Sequence, residues 1–335
     1  MTNTFWENEF IQFWNSENTD LQIPTSGSTG TPKLINISKK CIKLSTQLTL
    51  QFLGLQKGDT CLISLNMQYI GGKMMLARAL EGNLNYKIIE PNSNPLVEIT
   101  QVFDFYSFVP LQIQNILVET PEKIELLNQA KAIIIGGAAV NESLLALIQS
   151  IKTPVYSTYG MTETVSHIAL KRLNSNKNEN YVCLPSIKID KDERDCLTVE
   201  HAITNHIKII TNDIIELISP TEFQFLGRAD DVINSAGVKI FPQNVENELA
   251  IPLKNIGYED EFFIHKKPHP QFGDSVILVV KASFTSEMFQ ELKLNYKSKL
   301  SKYYFPVDFV AINDFVYTQS GKIDKLKTLF SPTSC

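Results

Sequence analysis

The chain has 335 residues, of which 43% are hydrophobic and 20% charged, so it can form a sizeable core and exceeds the usual size of a single one. Its net charge of -5 argues against nucleic acid as the main partner, because that function requires a basic face. The five cysteines are scattered and form no CxxC pair, which argues against a disulfide framework or a zinc site. Since the sequence shows neither a signal peptide nor a long apolar run, we expect a cytoplasmic protein.

Short apolar runs alternate with longer helical patterns over the first half of the chain. The runs that predict buried strands are residues 61–65, 85–90, 131–137 and 153–160. The segments with helical spacing are residues 39–55, 69–82 and 141–151, the last with a candidate cap at Asn141. This alternation predicts an α/β domain with a mainly parallel sheet, in which ligands gather at the carboxyl ends of the strands.

The pattern changes in the second half of the chain. Residues 171–195 are polar and predict an exposed loop with one short strand, and the short alternating runs that follow predict antiparallel strands. Beyond the charged segment GRADD (227–231), strand-like and helix-like pieces predict a small α+β unit. We therefore predict a large N-terminal domain over 1–229 and a small C-terminal domain over 230–335.

The segment PTSGSTGTPK, residues 24–33, is rich in hydroxyl groups and glycine. Backbone amides in such a loop can converge on an anion, and the hydroxyls add donors. Only two residues separate Gly27 from Gly30, which excludes the P-loop of NTPases, where four residues separate the glycines. Taken alone, the segment is either a phosphate-binding loop or a solvated linker.

Several segments together resemble the motifs of the acyl-adenylate-forming enzymes, a family that includes acyl- and aryl-CoA ligases, luciferases and the adenylation domains of peptide synthetases. In chain order these segments are TSGSTGTPK (25–33), GGAA (136–139), YGMTET (159–164), TND (211–213), GRADD (227–231), SAGVKIFP (235–242) and TQSGK (318–322). The resemblance spans roughly residues 22 to 329. It implies that the substrates are a carboxylic acid, ATP and coenzyme A, and that Mg²⁺ is the metal cofactor.

The resemblance also implies which residues contact the nucleotide. These are Thr25, Ser26, Gly27, Ser28, Thr29, Gly30 and Lys33 at the phosphates, Gly137, Ala138, Tyr159, Gly160 and Met161 around the nucleotide, and Asp213 and Arg228 at the ribose or a phosphate. Catalytic roles are implied for Thr162, Glu163 and Lys322, with Lys322 bridging the substrate carboxylate and the α-phosphate. Glu163 follows a predicted strand and could hold Mg²⁺, which prefers carboxylate oxygens, or could cap the following helix.

A second half-reaction, in which a thiol displaces AMP, is implied by the same resemblance. In this family the small domain is mobile and rotates about a hinge, which corresponds here to Asp230. The implied contacts with coenzyme A are Ser235, Ala236, Gly237 and Lys239. The expected reason for glycine at position 237 is that a side chain there would obstruct close approach of the pantetheine arm.

Within the family, residues 69–80 and 162–170 resemble o-succinylbenzoate–CoA ligases of menaquinone synthesis, and the form is compact because few residues precede the phosphate loop. That substrate is a dicarboxylate, so its second carboxylate needs a partner when it is buried. The candidate contacts with the acid are Arg78 as the cation, Thr164 and Ser166 as hydroxyl donors, and Gly136. Arg78 could instead extend along the surface, and His167 could contact the ligand or have its polar atoms satisfied beside a strand.

Three alternatives stay open from the sequence. Another aryl- or acyl-CoA ligase would share every phosphate and lysine motif and differ only in the acid pocket. An amino-acid-activating domain would carry an aspartate in that pocket, and residues 66–72 contain none. A nucleotide-binding protein without catalysis would not need Glu163 and Lys322 together with Lys33 and Asp213.

Overall fold

The computed structural model describes residues 2–24, 34–174, 180–271, 273–296, 304–317 and 323–330. The chain forms two compact units. The larger comprises Met1–Asp192, Leu197–Thr211 and Glu216–Gln224, and the smaller comprises Glu193–Cys196, Asn212–Ile215 and Phe225–Cys335. The domain boundary and hinge at Asp230 stay predictions.

The helices in the described ranges are α1 (Asn3–Asn15), α2 (Lys39–Leu53), α3 (Ile70–Gly82), α4 (Pro110–Glu119), α5 (Ile124–Leu127), α6 (Glu142–Ile148), α7 (Pro242–Asn255), α8 (Ser286–Asn295) and α9 (Lys325–Phe330). The strands are β1 (Asp20–Pro24), β2 (Leu34–Ser38), β3 (Thr60–Ile63), β4 (Asn85–Ile88), β5 (Phe105–Phe108), β6 (Ala132–Ile135), β7 (Val155–Gly160), β8 (His167–Arg172), β9 (Tyr181–Cys183), β10 (Ile189–Lys191), β11 (Cys196–Val199), β12 (Ile209–Ser219), β13 (Glu222–Arg228), β14 (Ile233–Ser235), β15 (Val238–Ile240), β16 (Phe263–His269), β17 (Gly273–Lys281) and β18 (Asp308–Ile312). None of these helices combines the length and the apolar character that crossing a membrane requires.

Eleven of the described strands form one sheet, in the order β10-β11-β12-β13-β9-β8-β7-β6-β5-β3-β4. The strands from β4 to β7 in this order pair in parallel. The pairs β7–β8, β8–β9, β9–β13 and β10–β11 are antiparallel. The predicted α/β fold, with a parallel sheet extended by antiparallel strands, is confirmed. In its described residues, the polar segment predicted to hold one strand contains two whole strands, β9 and β10.

The parallel part of the sheet is apolar on both faces because helices cover it. Every residue of β5 and of β6 is buried, and the side chains on one face of these strands pack with those of α4 and α6 in one hydrophobic cluster. The predicted cap of α6 is present, since Asn141 Oδ1 accepts from Leu144 N at 2.8 Å. The structure also contains α1, the β1–β2 pair, β5 and α4, which apolar spacing does not predict.

Helices α2 and α3 pack against each other beside the sheet. Helix α2 is capped at its start by Ser38, whose Oγ accepts from Cys41 N (3.2 Å), and at its end by Gly54, which has a left-handed φ of +68°. Thr49 in α2 and Arg78 in α3 are polar residues that the larger unit buries almost completely. Such residues require partners inside the protein, or a ligand.

The smaller unit contains a second sheet, with the order β15-β14-β17-β16 and with β18 parallel to β17. Helices α7 and α8 contribute apolar side chains to a core with this sheet. The predicted α+β character of this region is confirmed.

Candidate active site

One predicted nucleotide segment, residues 136–139, leaves the sheet at the carboxyl end of β6. Because β6 pairs in parallel with β7, the loops that follow the two strands start at the same edge of the sheet. A Cβ atom at Gly136 would lie 2.5 Å from Thr158 Oγ1, and Gly137 has a φ of +86°. The two glycines therefore let this loop, in which Ala138 is exposed, turn closely against β7.

Strand β7 ends with Tyr159 and Gly160, both predicted to contact the nucleotide. The Tyr159 ring is only 9% exposed, and its centroid lies 5.0 Å from that of Phe223 and 5.6 Å from that of Tyr181. A Cβ atom at Gly160 would lie 2.4 Å from His167 Cα in β8, so no side chain fits there. Gly160 is therefore required by the close antiparallel pairing of β7 and β8. A contact of Tyr159 with adenine stays a prediction.

The turn between β7 and β8 contains a short 3-10 helix, Thr162–Thr164, followed by a strained residue. The buried Thr164 hydroxyl accepts from Met161 N (3.0 Å) and donates within the turn, with Ser166 O at 2.8 Å. Val165 has a φ of +67° and a ψ of -52°, and Ser166 N donates to Thr164 O (2.7 Å), which defines a γ-turn. This conformation costs about 1–3 kcal/mol and fixes the backbone of Ser166. The predicted contact of Thr164 with the acid stays a prediction.

Glu163 lies in the same short helix and is exposed, next to the half-buried Thr162. Within the described residues, its carboxylate has no hydrogen bond or ion pair. The same ranges contain no group of three or more His, Cys, Asp or Glu that could hold a metal ion by itself. A single free carboxylate fits Mg²⁺, which keeps several waters and shares its coordination with substrate phosphates.

Arg78, a buried cation of the larger unit, contacts this turn. Its Nη2 donates to Ser166 Oγ at 2.9 Å, and the side chain is almost fully buried, with 2% of the residue exposed. Its Nε is buried without a hydrogen-bond partner among the described residues. Burial lowers the pKa of Arg78 to about 10, while burial raises the pKa of the nearby Cys61 thiol to about 12, so Cys61 supplies no counter-charge at neutral pH. The surface interpretation of Arg78 is therefore wrong.

His167 lies at the start of β8 and has polar partners on both ring nitrogens. Its Nδ1 is 3.5 Å from Arg78 Nη2, and its Nε2 is 3.1 Å from Thr49 Oγ1. Burial, together with Arg78, lowers the pKa of His167 well below its usual value, so the ring is neutral at neutral pH. The interpretation of His167 as satisfied beside a strand agrees with these contacts. No local pattern indicates Thr49, because it lies 118 residues from His167 in the sequence.

In the smaller unit, Arg228 connects two predicted functional carboxylates. Its Nη1 donates to Asp213 Oδ1 (3.2 Å), and its Nη2 donates to Asp230 Oδ2 (3.1 Å). Asn212 Nδ2 also donates to Asp230, at 3.2 Å. The structure thus brings together the predicted ribose ligand, the predicted hinge residue and the arginine predicted to reach the nucleotide. Asn212 is a further member that the sequence indicates only by standing next to Asp213.

Ser235, Ala236 and Gly237 lie in a tight hairpin between β14 and β15. Ala236 has a φ of +50° and Gly237 a φ of +80°, as in two-residue hairpin loops. A Cβ atom at Gly237 would meet no atom of the described chain within 4 Å. The glycine is therefore explained by its backbone conformation and not by close contact within the protein. Lys239 is exposed on β15.

Two predicted segments fall partly or wholly outside the described residues. These predictions concern Thr25, Ser26, Gly27, Ser28, Thr29, Gly30 and Lys33 of the phosphate loop, and Lys322. The residues that flank both segments are paired: Pro24 pairs with Leu34 in the β1–β2 ladder, and Tyr317 forms an antiparallel bridge with Ile323.

Similarity to known proteins agrees with this architecture. Residues 13–193 match the family described as "AMP-binding enzyme". A 2-succinylbenzoate–CoA ligase of Lactococcus lactis is 25% identical over 319 residues, which cover 89% of this chain and 68% of that protein. The Bacillus subtilis enzyme of the same name is also 25% identical, over 89% of this chain and 66% of its own length.

Solved structures give the same result. The crystal structure of an AMP-forming acyl-CoA synthetase/AMP-acid ligase II-like protein from Dyadobacter fermentans is 36% identical, covers 97% of this chain and 93% of that one, and has a TM-score of 0.65. An o-succinylbenzoate CoA synthetase from Bacillus subtilis, bound to an acyl-adenylate, shares the fold with a TM-score of 0.76 at 22% identity, over 94% of this chain and 69% of that one. By the family match over more than half its length and by its 36% identical relative, the chain belongs to the AMP-binding enzyme family.

Proposed function

We propose that the protein is an ATP-dependent acid–CoA ligase that acts on o-succinylbenzoate in menaquinone biosynthesis. It adenylates one carboxylate with release of pyrophosphate and then transfers the acyl group to coenzyme A with release of AMP. Membership of the AMP-binding enzyme family and the names of the ligases that resemble the chain support this proposal. A cytoplasmic location is part of the same proposal, because ATP and coenzyme A must both reach the enzyme.

The observation that carries the choice of acid is the buried guanidinium of Arg78. A charge in the interior is unfavourable unless it is paired and hydrogen-bonded, and Arg78 has a buried Nε with no partner among the described residues. The guanidinium presents donors in a planar fork that matches a carboxylate. o-Succinylbenzoate keeps a second carboxylate after the first has reacted. In the proposed complex, this second carboxylate is the anion that pairs with Arg78. Ser166 Oγ, which accepts a hydrogen bond from Arg78 Nη2 at 2.9 Å, lies beside the carboxylate.

Adenylation brings an anionic carboxylate to the α-phosphorus of a polyanion, so its barrier is mainly electrostatic. Mg²⁺, when bound by Glu163, neutralises phosphate charge. Asp213 offers carboxylate oxygens for the ribose hydroxyls, and it is held in place by Arg228. The roles of Lys33 at the phosphates and of Lys322 at the reacting carboxylate belong to the same proposal.

The proposed transfer to coenzyme A uses the hairpin Ser235–Gly237 and Lys239, after rotation of the C-terminal region about Asp230. Asp230 is tied to Arg228 and Asn212 by side-chain hydrogen bonds. A rotation that turns the Asp230 side chain relative to Arg228 and Asn212 would break or exchange these contacts. The hydrogen bonds of Asp230 would therefore contribute to the free-energy difference between the two proposed orientations of the C-terminal domain.

An assay of pyrophosphate exchange and AMP formation tests the proposal with a panel of acids and with coenzyme A. We expect AMP and a CoA thioester from o-succinylbenzoate. AMP from simple benzoates or fatty acids, but not from o-succinylbenzoate, would support another aryl- or acyl-CoA ligase. Absence of exchange with every acid would support a nucleotide-binding protein without catalysis.

The variant Lys322→Ala separates the two half-reactions. We expect it to lose AMP formation from the free acid and ATP but to retain thioester formation from the preformed acyl-adenylate. Equal loss of both steps would contradict the proposed role of Lys322 in the first step alone.

A further inference from the structure

A chain of four polar groups connects three elements of the larger unit behind the proposed acid site. Thr49 of α2 contacts His167 of β8, His167 contacts Arg78 of α3, and Arg78 contacts Ser166 in the turn before β8. We propose that His167, supported by Thr49, is a positioning residue that holds the Arg78 guanidinium in the orientation that binds the second carboxylate of the acid. This inference rests on the proposed function.

Hydrogen-bond chemistry allows one arrangement of protons along this chain. Arginine only donates, so Nδ1 of His167 must accept from Arg78 Nη2 and the ring must carry its proton on Nε2. Nε2–H then donates to Thr49 Oγ1 (3.1 Å), and the Thr49 hydroxyl donates to the Ser45 carbonyl oxygen (3.1 Å). Thr49 thus selects the tautomer of His167 that can accept from Arg78.

The separation of 3.5 Å between Arg78 Nη2 and His167 Nδ1 is long for a hydrogen bond, whereas the contact with Ser166 is short at 2.9 Å. Ser166 therefore carries most of the attraction, and the imidazole limits where the guanidinium can turn. Both contacts involve Nη2, so neither uses the buried Nε of Arg78, which has no partner among the described residues. A neutral imidazole suits this position, since a protonated ring could not accept from Arg78 and would repel its charge.

A purely structural histidine would make a different prediction. Its loss would weaken the fold and reduce turnover of every acid to a similar extent. A positioning residue affects only acids that carry the second carboxylate. The comparison of o-succinylbenzoate with 4-oxo-4-phenylbutanoate, which lacks the aromatic carboxylate, therefore distinguishes the two roles.

The experiment uses the full chain and measures KM and kcat for both acids and for ATP. The variants His167→Leu and Thr49→Val remove the contacts, His167→Asn keeps an acceptor near the Nδ1 position, and Thr49→Ser keeps the hydroxyl. Thr46→Val is the matched control, because Thr46 is also buried in α2 but its hydroxyl donates to Ile42 O (2.8 Å) of the same helix. Thr49→Val keeps the imidazole in place, so it tests the inference if His167→Leu does not fold.

We expect Thr49→Val and His167→Leu to raise KM for o-succinylbenzoate by about 3- to 10-fold, the effect of one neutral hydrogen bond. KM for ATP and both constants for 4-oxo-4-phenylbutanoate should stay nearly unchanged, and His167→Asn, Thr49→Ser and Thr46→Val should resemble the wild type. A parallel loss with both acids in folded Thr49→Val or His167→Leu would overturn the inference and leave the proposed function intact. A wild-type protein that forms no AMP from o-succinylbenzoate would overturn both.

Discussion

Replacement of Arg78 by methionine should remove recognition of the acid while leaving the empty protein as stable as before, or more stable. Methionine is unbranched and fills irregular space, so it can follow the path of the arginine stem. The substitution removes a buried charge whose Nε has no partner among the described residues. Replacement of buried ionic groups by apolar ones of similar volume is often neutral or stabilising.

The magnitude follows from the burial of the guanidinium. Desolvation lowers the pKa of Arg78 to about 10, and at about 1.4 kcal/mol per pKa unit this corresponds to a cost of about 3 kcal/mol for the charged form. The bond to Ser166 Oγ returns about 1.5–3 kcal/mol, and the 3.5 Å contact with His167 Nδ1 is too long to return much more. Loss of the bond to Ser166 is partly offset in the variant because Ser166 is half-buried and reaches water. We expect the free energy of unfolding to rise by between zero and about 3 kcal/mol.

Activity should change in the opposite direction. Loss of a buried, charge-assisted contact with a carboxylate costs about 2–5 kcal/mol, which is about a 30- to 4000-fold decrease in kcat/KM for o-succinylbenzoate. The constants for 4-oxo-4-phenylbutanoate should be nearly unchanged, because that acid has no second carboxylate.

Urea unfolding followed by tryptophan fluorescence measures the stability of the relevant unit. Both tryptophans, Trp6 and Trp14, lie in α1 of the larger unit, so the signal does not mix the two units. Arg172→Met is the control, since Arg172 is half-buried and its Nε already donates to Asn174 Oδ1 at 2.7 Å; it should lower the midpoint. A loss of more than about 1 kcal/mol in Arg78→Met would refute the argument that this charge is unfavourable in the empty protein.

Three further outcomes follow from the geometry. Gly160→Ala should lower the free energy of unfolding by about 3 kcal/mol in the same urea assay, because its Cβ would lie 2.4 Å from the backbone of β8. An unchanged urea midpoint would contradict this close approach of β7 and β8. Burial lowers the folded-state pKa of His167, so the contribution of His167 to stability is complete above about pH 6.5 and decreases below it, by up to about 1.4 kcal/mol per pH unit. Between pH 7 and 5, the urea midpoint of His167→Asn should therefore fall less than that of the wild type. Equal slopes for the two proteins would speak against a buried neutral ring. Gly237→Ala should lower the free energy of unfolding by about 1 kcal/mol, because alanine is strained at a φ of +80° although its Cβ would meet no other atom of the described chain. Thermal unfolding measures this loss, and a larger loss would indicate a steric clash at this position.

The sequence predicts the parallel part of the fold because its buried strands are continuous apolar runs. Residues 132–135, AIII, are a clear example, and the cap at Asn141 marks the start of the next helix. Strand β5 and helix α4 are harder to predict, because only one residue separates them and the helix begins at Pro110. Proline at the first helical position is favourable, but in a sequence it also indicates a turn.

The motifs indicate which residues belong to the candidate site, but they do not show which of these residues contact one another. Helix α3 is apolar around most of its circumference, so its pattern does not decide whether Arg78 faces the surface or the interior. Burial of Arg78 depends on the turn before β8, whose Ser166 lies 88 residues away. Gly237 shows the same limit: the sequence suggests close approach of a ligand there, whereas the left-handed backbone of the hairpin already accounts for glycine within the protein.

The turn between β7 and β8 brings together two unfavourable features of the larger unit. Val165 adopts a positive φ there, and the adjacent Ser166 holds a guanidinium that retains an unpartnered donor. Two local rules of folding are broken together at this place. Packing of α2, α3 and the sheet must therefore supply the stability that keeps this turn in its strained form. A buried cation held in advance by such a turn needs little reorganisation when a carboxylate binds, which is the property that selective recognition of a dicarboxylate requires.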